Sequence, residues 1–112
     1  MGNLKFETAS KEQVLKSVES ENTIIVNVLA EEAYREKHIK GSVSIPLSDL
    51  TGGEYQKLDR TKKIITYCAG YKCNASREAA AFLKDNGFSA SAYEGGMKEW
   101  TESGLPVEEG GM

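Results

Sequence analysis

The residues with the most chemistry in this sequence are its two cysteines, Cys68 and Cys73, which share the stretch ITYCAGYKCNASREAAAF running from Ile65 to Phe82. An apolar run stops at Cys68, a short loop carries Cys73, and an alanine-rich segment follows. A thiolate is the reactive form of cysteine, and an electropositive setting lowers its pKa from about 8.5 into a range of roughly 3.5 to 7.5. A loop leading into a helix supplies such a setting, because the first helical N–H groups lack intrahelical partners and lie at the positive end of the dipole. Cys68 is therefore a candidate nucleophile, and its alternative reading is a small buried hydrophobe closing a strand. Gly70 lets the loop turn tightly, and Lys72 is the only positive side chain between the cysteines. Cys73 is either an inert loop residue or a resolving thiol that forms a disulfide with an oxidised or persulfidated Cys68.

Other chemistries find little support. Two cysteines and the single His38 give three soft ligands, short of a zinc set with paired metal-type spacing. His38 reads as a structural or exposed histidine. No G-x-S-x-G or phosphate-binding glycine motif is present, and the carboxylates read as solvated surface. The 14 Lys+Arg against 17 Asp+Glu leave a net charge of -3, without the basic patch that nucleic acid or an anionic membrane would select. No window nears the roughly 18 apolar residues of a membrane span, and MGNLKFETASKEQ lacks an apolar core of signal-peptide length. These features point to the cytoplasm, where two cysteines are more often reactive or buried than a structural staple.

The elements that position the loop follow from patterning. The 112 residues suit one domain, residues 1–112, with 108–112 as a flexible tail. Ser10 and Gln13 resemble a capping box, and Val14 and Val18 lie four apart, so Lys11 to Glu19 is expected to be a helix. Thr23 to Leu29 is apolar and β-branched, an interior strand of a parallel sheet. A short helix over Glu31 to His38 precedes Gly41 and a brief strand, Val43 to Ile45, stopped by Pro46. Lys63 to Tyr67 is the next strand and places Cys68 at a strand's carboxyl end, where ligands bind in α/β sheets. Ser76 is expected to cap the helix that Asn86-Gly87 ends, with Ala90 to Tyr93 a further strand and Met97 to Thr101 a last helical turn. Strands alternating with helices predict an α/β domain with a mostly parallel sheet.

Several segments together resemble the rhodanese (sulfurtransferase) family: TIIVNVLAEEAYREKHIKGSVSIPLSDL, ITYCAGYKCNAS, REAAAFLKDNGF and YEGGMKEWTESGLPV. His-Ile-x-Gly-Ser before Ile-Pro, and Gly-Gly-x-x-x-Trp before Gly-x-Pro, recur in that family at matching places. The resemblance implies an α/β sandwich, with a central, mostly parallel five-stranded sheet flanked by helices on both faces. It implies that Cys68 carries sulfur as a persulfide and that Ala69, Gly70, Tyr71, Lys72, Cys73, Asn74, Ala75 and Ser76 form the substrate-binding loop. The implied partners are a small donor, thiosulfate or polysulfide, and a thiol or cyanide acceptor, which can be a protein; no metal or organic cofactor is implied. Two departures stand out. Asn27 and Leu29 replace an Asp-x-Arg arrangement, and the loop runs about two residues longer than usual, with Cys73 and Asn74 where an arginine is expected. Lys72 supplies charge without an arginine's bidentate geometry. Asn74, sixth after Cys68, also lacks the arginine of the phosphatases that share this fold. Two other readings stay open: a binding or persulfide-carrier module, and a redox switch that pairs Cys68 with Cys73.

Overall fold

The computed structural model describes residues 6–110. Five strands form one parallel sheet: β1 (Glu7–Thr8), β2 (Thr23–Asn27), β4 (Val43–Ser44), β5 (Lys63–Tyr67) and β6 (Ser89–Tyr93), in the spatial order β1-β6-β5-β2-β4. The expected α/β sandwich with a parallel five-stranded sheet is what the chain forms. A second sheet pairs β3 (His38–Ile39) with β7 (Val107–Glu108) antiparallel. The helices are α1 (Lys11–Ser17), α2 (Glu31–Glu36), α3 (Leu47–Thr51), α4 (Ala75–Asp85) and α5 (Gly96–Glu102), with a 3-10 turn at Glu54–Lys57.

Successive side chains of a strand point to opposite faces, so the central strands feed two cores. Val26, Ile64, Ala90 and Ala92 pack with Leu50 of α3 and Ala79, Ala80 and Leu83 of α4. Ile25, Ile65, Tyr67 and Tyr93 pack on the other face with Val14 of α1 and Trp100 of α5. Burying each large apolar side chain contributes roughly 1.5–3 kcal/mol, and both sheet faces draw on it. The alternation also sets the direction of Cys68, which follows Ile64 and Thr66 on the α4 face and is 1% exposed.

Local chemistry explains the element ends. Ser10 Oγ accepts from Gln13 N–H at 3.1 Å and Gln13 Oε1 accepts from Ser10 N–H at 2.7 Å, the reciprocal capping box expected for α1. At the other end of the fold, Gly87 takes φ +90°, the left-handed backbone that lets α4 stop and the chain turn into β6. Helix α2 ends at Glu36 rather than His38, because Lys37 is already extended and His38 enters β3. His38 is buried, stacked on the Tyr34 ring at 3.8 Å, with Nδ1–H donating to Tyr34 O at 2.8 Å and Nε2 3.6 Å from Glu108 Oε1. It is a structural residue. Glu108, expected in a frayed end, pairs with His38, and Gly110 N–H donates to Arg35 O at 2.6 Å; residues 111 and 112 lie outside the described residues. Asn27 takes over the polar work of the expected aspartate as a neutral group: its amide donates to Tyr67 OH at 3.0 Å and its oxygen accepts from Leu29 N–H at 2.9 Å. No helix among the described residues is long and apolar enough to cross a membrane.

Candidate functional site

The loop after β5 is fixed from both sides. Helix α5 starts against its first half: Met97 N–H donates to Cys68 O at 2.9 Å and Lys98 N–H to Ala69 O at 2.8 Å. That approach needs a residue without a side chain, since a Cβ on Gly96 would sit 2.7 Å from Gly70 N and still closer to Cys68 O, at a φ of +59°. The Gly-Gly-x-x-x-Trp pattern thus has a physical meaning here, with Gly96 meeting the loop and Trp100 filling the core one turn later. The loop turns on itself where Cys73 N–H donates to Gly70 O at 3.0 Å.

Arg77, in the first turn of α4, holds the second half. Nε donates to Glu94 at 2.8 Å, Nη1 to Cys73 O at 3.1 Å and to Asn74 Oδ1 at 2.5 Å, and Nη2 to Tyr71 O at 2.7 Å. All but one of its guanidinium donors are spent on the protein. An arginine is therefore present at the loop, but turned inward to shape it. Nothing in the local pattern singles out Arg77; the signal that would find it is its place four residues after Cys73, one helical turn from the loop it braces.

Asn74 occupies the N-cap of α4 without a capping side-chain bond, because its oxygen is engaged by Arg77. Ser76, expected as the cap, lies inside the first turn and is fully buried. Its hydroxyl makes no formed hydrogen bond, and it lies beside Cys68, whose thiolate both the Ser76 N–H and hydroxyl favour. Tyr71, Lys72 and Asn74 are exposed, and Ala69, Gly70, Tyr71, Lys72, Cys73 and Lys98 line an open depression of about 610 Å³. Lys98 pairs with Glu102 at 2.8 Å, whereas Lys72 forms no ion pair among the described residues. Among those residues no group of three or more His, Cys, Asp or Glu side chains is placed to hold a metal.

The electrostatics of the two thiols reverse the expectation that the loop lowers the pKa of Cys68. Burial pushes the Cys68 thiol up, its contact with the Cys73 sulfur pushes the same way, and the Ser76 donors only partly offset them. For Cys73, partial burial opposes ionisation, but the Cys68 thiol, the N–H groups of Ala75 and Ala69 and the Arg77 charge together hold it below the ordinary range. The reason is geometric. Strand alternation sends Cys68 under α4, while the loop's donors converge on Cys73. Cys68 Sγ lies 3.4 Å from Cys73 O and each thiol shifts the other's titration, so the structure brings together the pair singled out by sequence.

The family model described as "Rhodanese-like domain" matches residues 10–103. The chain is 31% identical over 101 residues to the HTH-type transcriptional regulator Rv0324 of Mycobacterium tuberculosis, covering 90% of this chain and 44% of that protein. It spans less than half the length of the curated relatives it matches. Among solved structures, the BH2092 protein from Bacillus halodurans superimposes with a TM-score of 0.85 at 31% identity, over 92% of this chain and 77% of that one. A rhodanese-related protein from Thermoplasma volcanium gives a TM-score of 0.81 at 26% identity, over 92% of this chain and 98% of that one. With the strand, cysteine loop and Gly96 contact in the places described, the chain belongs to the rhodanese-like domain family.

Proposed function

We propose that this protein is a sulfurtransferase that moves sulfane sulfur from thiosulfate or polysulfide to a thiol or cyanide acceptor through a persulfide on Cys68. The family supports a sulfur-related role in general. The observation that carries the specific reading is the setting of Cys68: at the carboxyl end of the central strand β5, beside the Ser76 N–H and otherwise unpartnered hydroxyl, and next to Cys73, the thiol that ionises more readily. Free thiols that must stay reduced suit a compartment such as the cytoplasm. Strands β1, β2, β4, β5 and β6 share one sheet, which supports a single domain over residues 1–112.

The chemistry follows from the two thiols. Cys68 rests as a thiol and Cys73 is the better thiolate, so the Cys68 proton passes to Cys73 as Cys68 attacks the outer sulfur of the donor. With thiosulfate, a sulfur–sulfur bond forms on Cys68, the donor's own bond breaks and sulfite leaves with the electron pair. The Cys68 persulfide anion then has the Ser76 donors beside it, and an acceptor thiolate or cyanide takes the outer sulfur and restores Cys68. Arg77 is committed to the loop and presents no fork to a dianion, so thiosulfate is the weaker donor and polysulfide the better one. The same commitment favours, as a second reading, a persulfide carrier that loads once and passes sulfur to a protein partner.

Intact mass after exposure to polysulfide tests the reading. In the Cys73→Ser background, where no neighbouring thiol can displace the sulfur, a gain of about 32 Da that requires Cys68 and is removed by cyanide supports it, since that is one sulfur held covalently. A Cys68→Ser variant that loads like the wild type would sink it, and loading without repeated turnover on any small donor would leave the carrier.

A further inference from the structure

We infer that Cys73 resolves the Cys68 persulfide, giving this chain a second activity: reductive release of sulfide from polysulfides and organic persulfides. The inference rests on the Cys68 persulfide proposed above and adds a different fate for its sulfur. Three observations carry it. Cys68 Sγ lies 3.4 Å from Cys73 O, which sets the two cysteines side by side, and the turn closed by the Cys73 N–H on Gly70 O holds the backbone that keeps them so. Arg77 and α5 clamp the two halves of that turn, so Cys73 is positioned rather than free to swing away. Finally, Cys73 lines the open depression while Cys68 is buried beneath it, which gives a small anion leaving Cys68 an exit past Cys73.

The step balances without an outside oxidant. The proton that Cys73 took from Cys68 passes to the outer sulfur of the Cys68 persulfide, and the Cys73 thiolate attacks its inner sulfur; the Cys68–Cys73 disulfide forms, the outer sulfur–sulfur bond breaks, and hydrosulfide departs with that bond's electrons and the proton. Two thiols are oxidised to a disulfide and one sulfane sulfur is reduced to sulfide. A dithiol reductant then returns the pair to thiols. The substrate class is a chain of sulfane sulfur and not a sulfur oxyanion, because the only loop arginine is turned inward and offers no fork for sulfonate oxygens.

The test loads wild type, Cys73→Ser and Cys68→Ser to completion with inorganic polysulfide under argon, removes the excess, and reads intact mass, trapped sulfide and the peptide map. The wild type is expected about 2 Da lighter than its dithiol form, with Cys68 and Cys73 in one disulfide that dithiothreitol opens, and with sulfide released above the blank. Cys73→Ser, which loads more slowly without the Cys73 base, is expected once loading is complete to keep a cyanide-labile gain of about 32 Da and to release no sulfide. A wild type that retains the added sulfur just as Cys73→Ser does overturns this inference and leaves the Cys68 persulfide standing. Sulfur loading on Cys68→Ser, or on neither cysteine, overturns the persulfide reading and this inference with it.

Discussion

Removing the guanidinium of Arg77 should open the sulfur loop while leaving the fold intact. In Arg77→Met the apolar stem is kept, and the bonds to Tyr71 O, Cys73 O and Asn74 Oδ1 are lost. At this partly exposed position each bond contributes about 1 kcal/mol net, and the Glu94 ion pair, whose side chains are 20% and 29% exposed, adds about 0–1 kcal/mol. Loop closure is therefore weakened by about 3 kcal/mol, which is on the order of 100-fold in the population of open loop. The assay is hydrogen exchange at the Cys73 amide, which donates to Gly70 O within that loop. Its protection should fall about 100-fold, while amides of β5 and β2 keep theirs, because the opening is local. Loss of the Arg77 charge also lets the Cys73 thiol titrate closer to its ordinary value. Arg77→Lys restores a point charge but not the fork, and should recover the titration more than the protection. A change in Cys73 protection smaller than about threefold, or an equal loss of protection throughout the sheet, would refute the assignment of a loop brace.

Other perturbations follow from the same contacts. Gly96→Ala forces a Cβ into Cys68 O and Gly70 N at a left-handed φ, and should cost about 2–4 kcal/mol in urea unfolding together with loss of sulfur loading. Tyr67→Phe strands the buried Ile39 N–H and Asn27 amide and takes one bond from Ser42 Oγ, which keeps its bond to Ile39 O, and should cost about 3 kcal/mol in the same measurement. Burial and the hydrogen bond to Glu99 raise the Tyr93 phenol above its ordinary 10.0, so above pH 10 the unfolded chain releases a proton that the folded chain keeps. Stability from this group is full below pH 10 and lost as pH rises, and Tyr93→Phe should flatten the alkaline limb of the unfolding profile. Cys73 should be alkylated by iodoacetamide at a lower pH than Cys68, with peptide mapping separating the two.

Much of this was legible from local pattern. The Ser10 capping box, the β-branched Thr23–Leu29 run and the apolar Lys63–Tyr67 run each obey rules that act within a few residues, and each element formed there, although α1 stops at Ser17 instead of Glu19 and β2 at Asn27 instead of Leu29. What pattern could not reach was set by distant partners. The two-residue strands at Glu7, His38 and Val107 are too short to carry a period and exist because Ser91, Glu108 and Ile39 lie opposite them. Cys68 and Cys73 were found from their spacing, but which of them ionises more easily depends on a strand's alternation and on an arginine in the next helix. Lys72, the cation nearest in sequence, stays at the surface, and the charge that acts on the site comes from Arg77.

Single-turnover cyanolysis tests the role of Cys68 most directly. Protein exposed to polysulfide and freed of excess donor is mixed with cyanide, and thiocyanate is counted per chain in the Cys73→Ser background, where no internal thiol drains the persulfide. About one thiocyanate per chain from Cys73→Ser, and none once Cys68→Ser is added to it, is the expected result. Thiocyanate that persists without Cys68, or none from the loaded Cys73→Ser protein, would contradict sulfur transfer through Cys68.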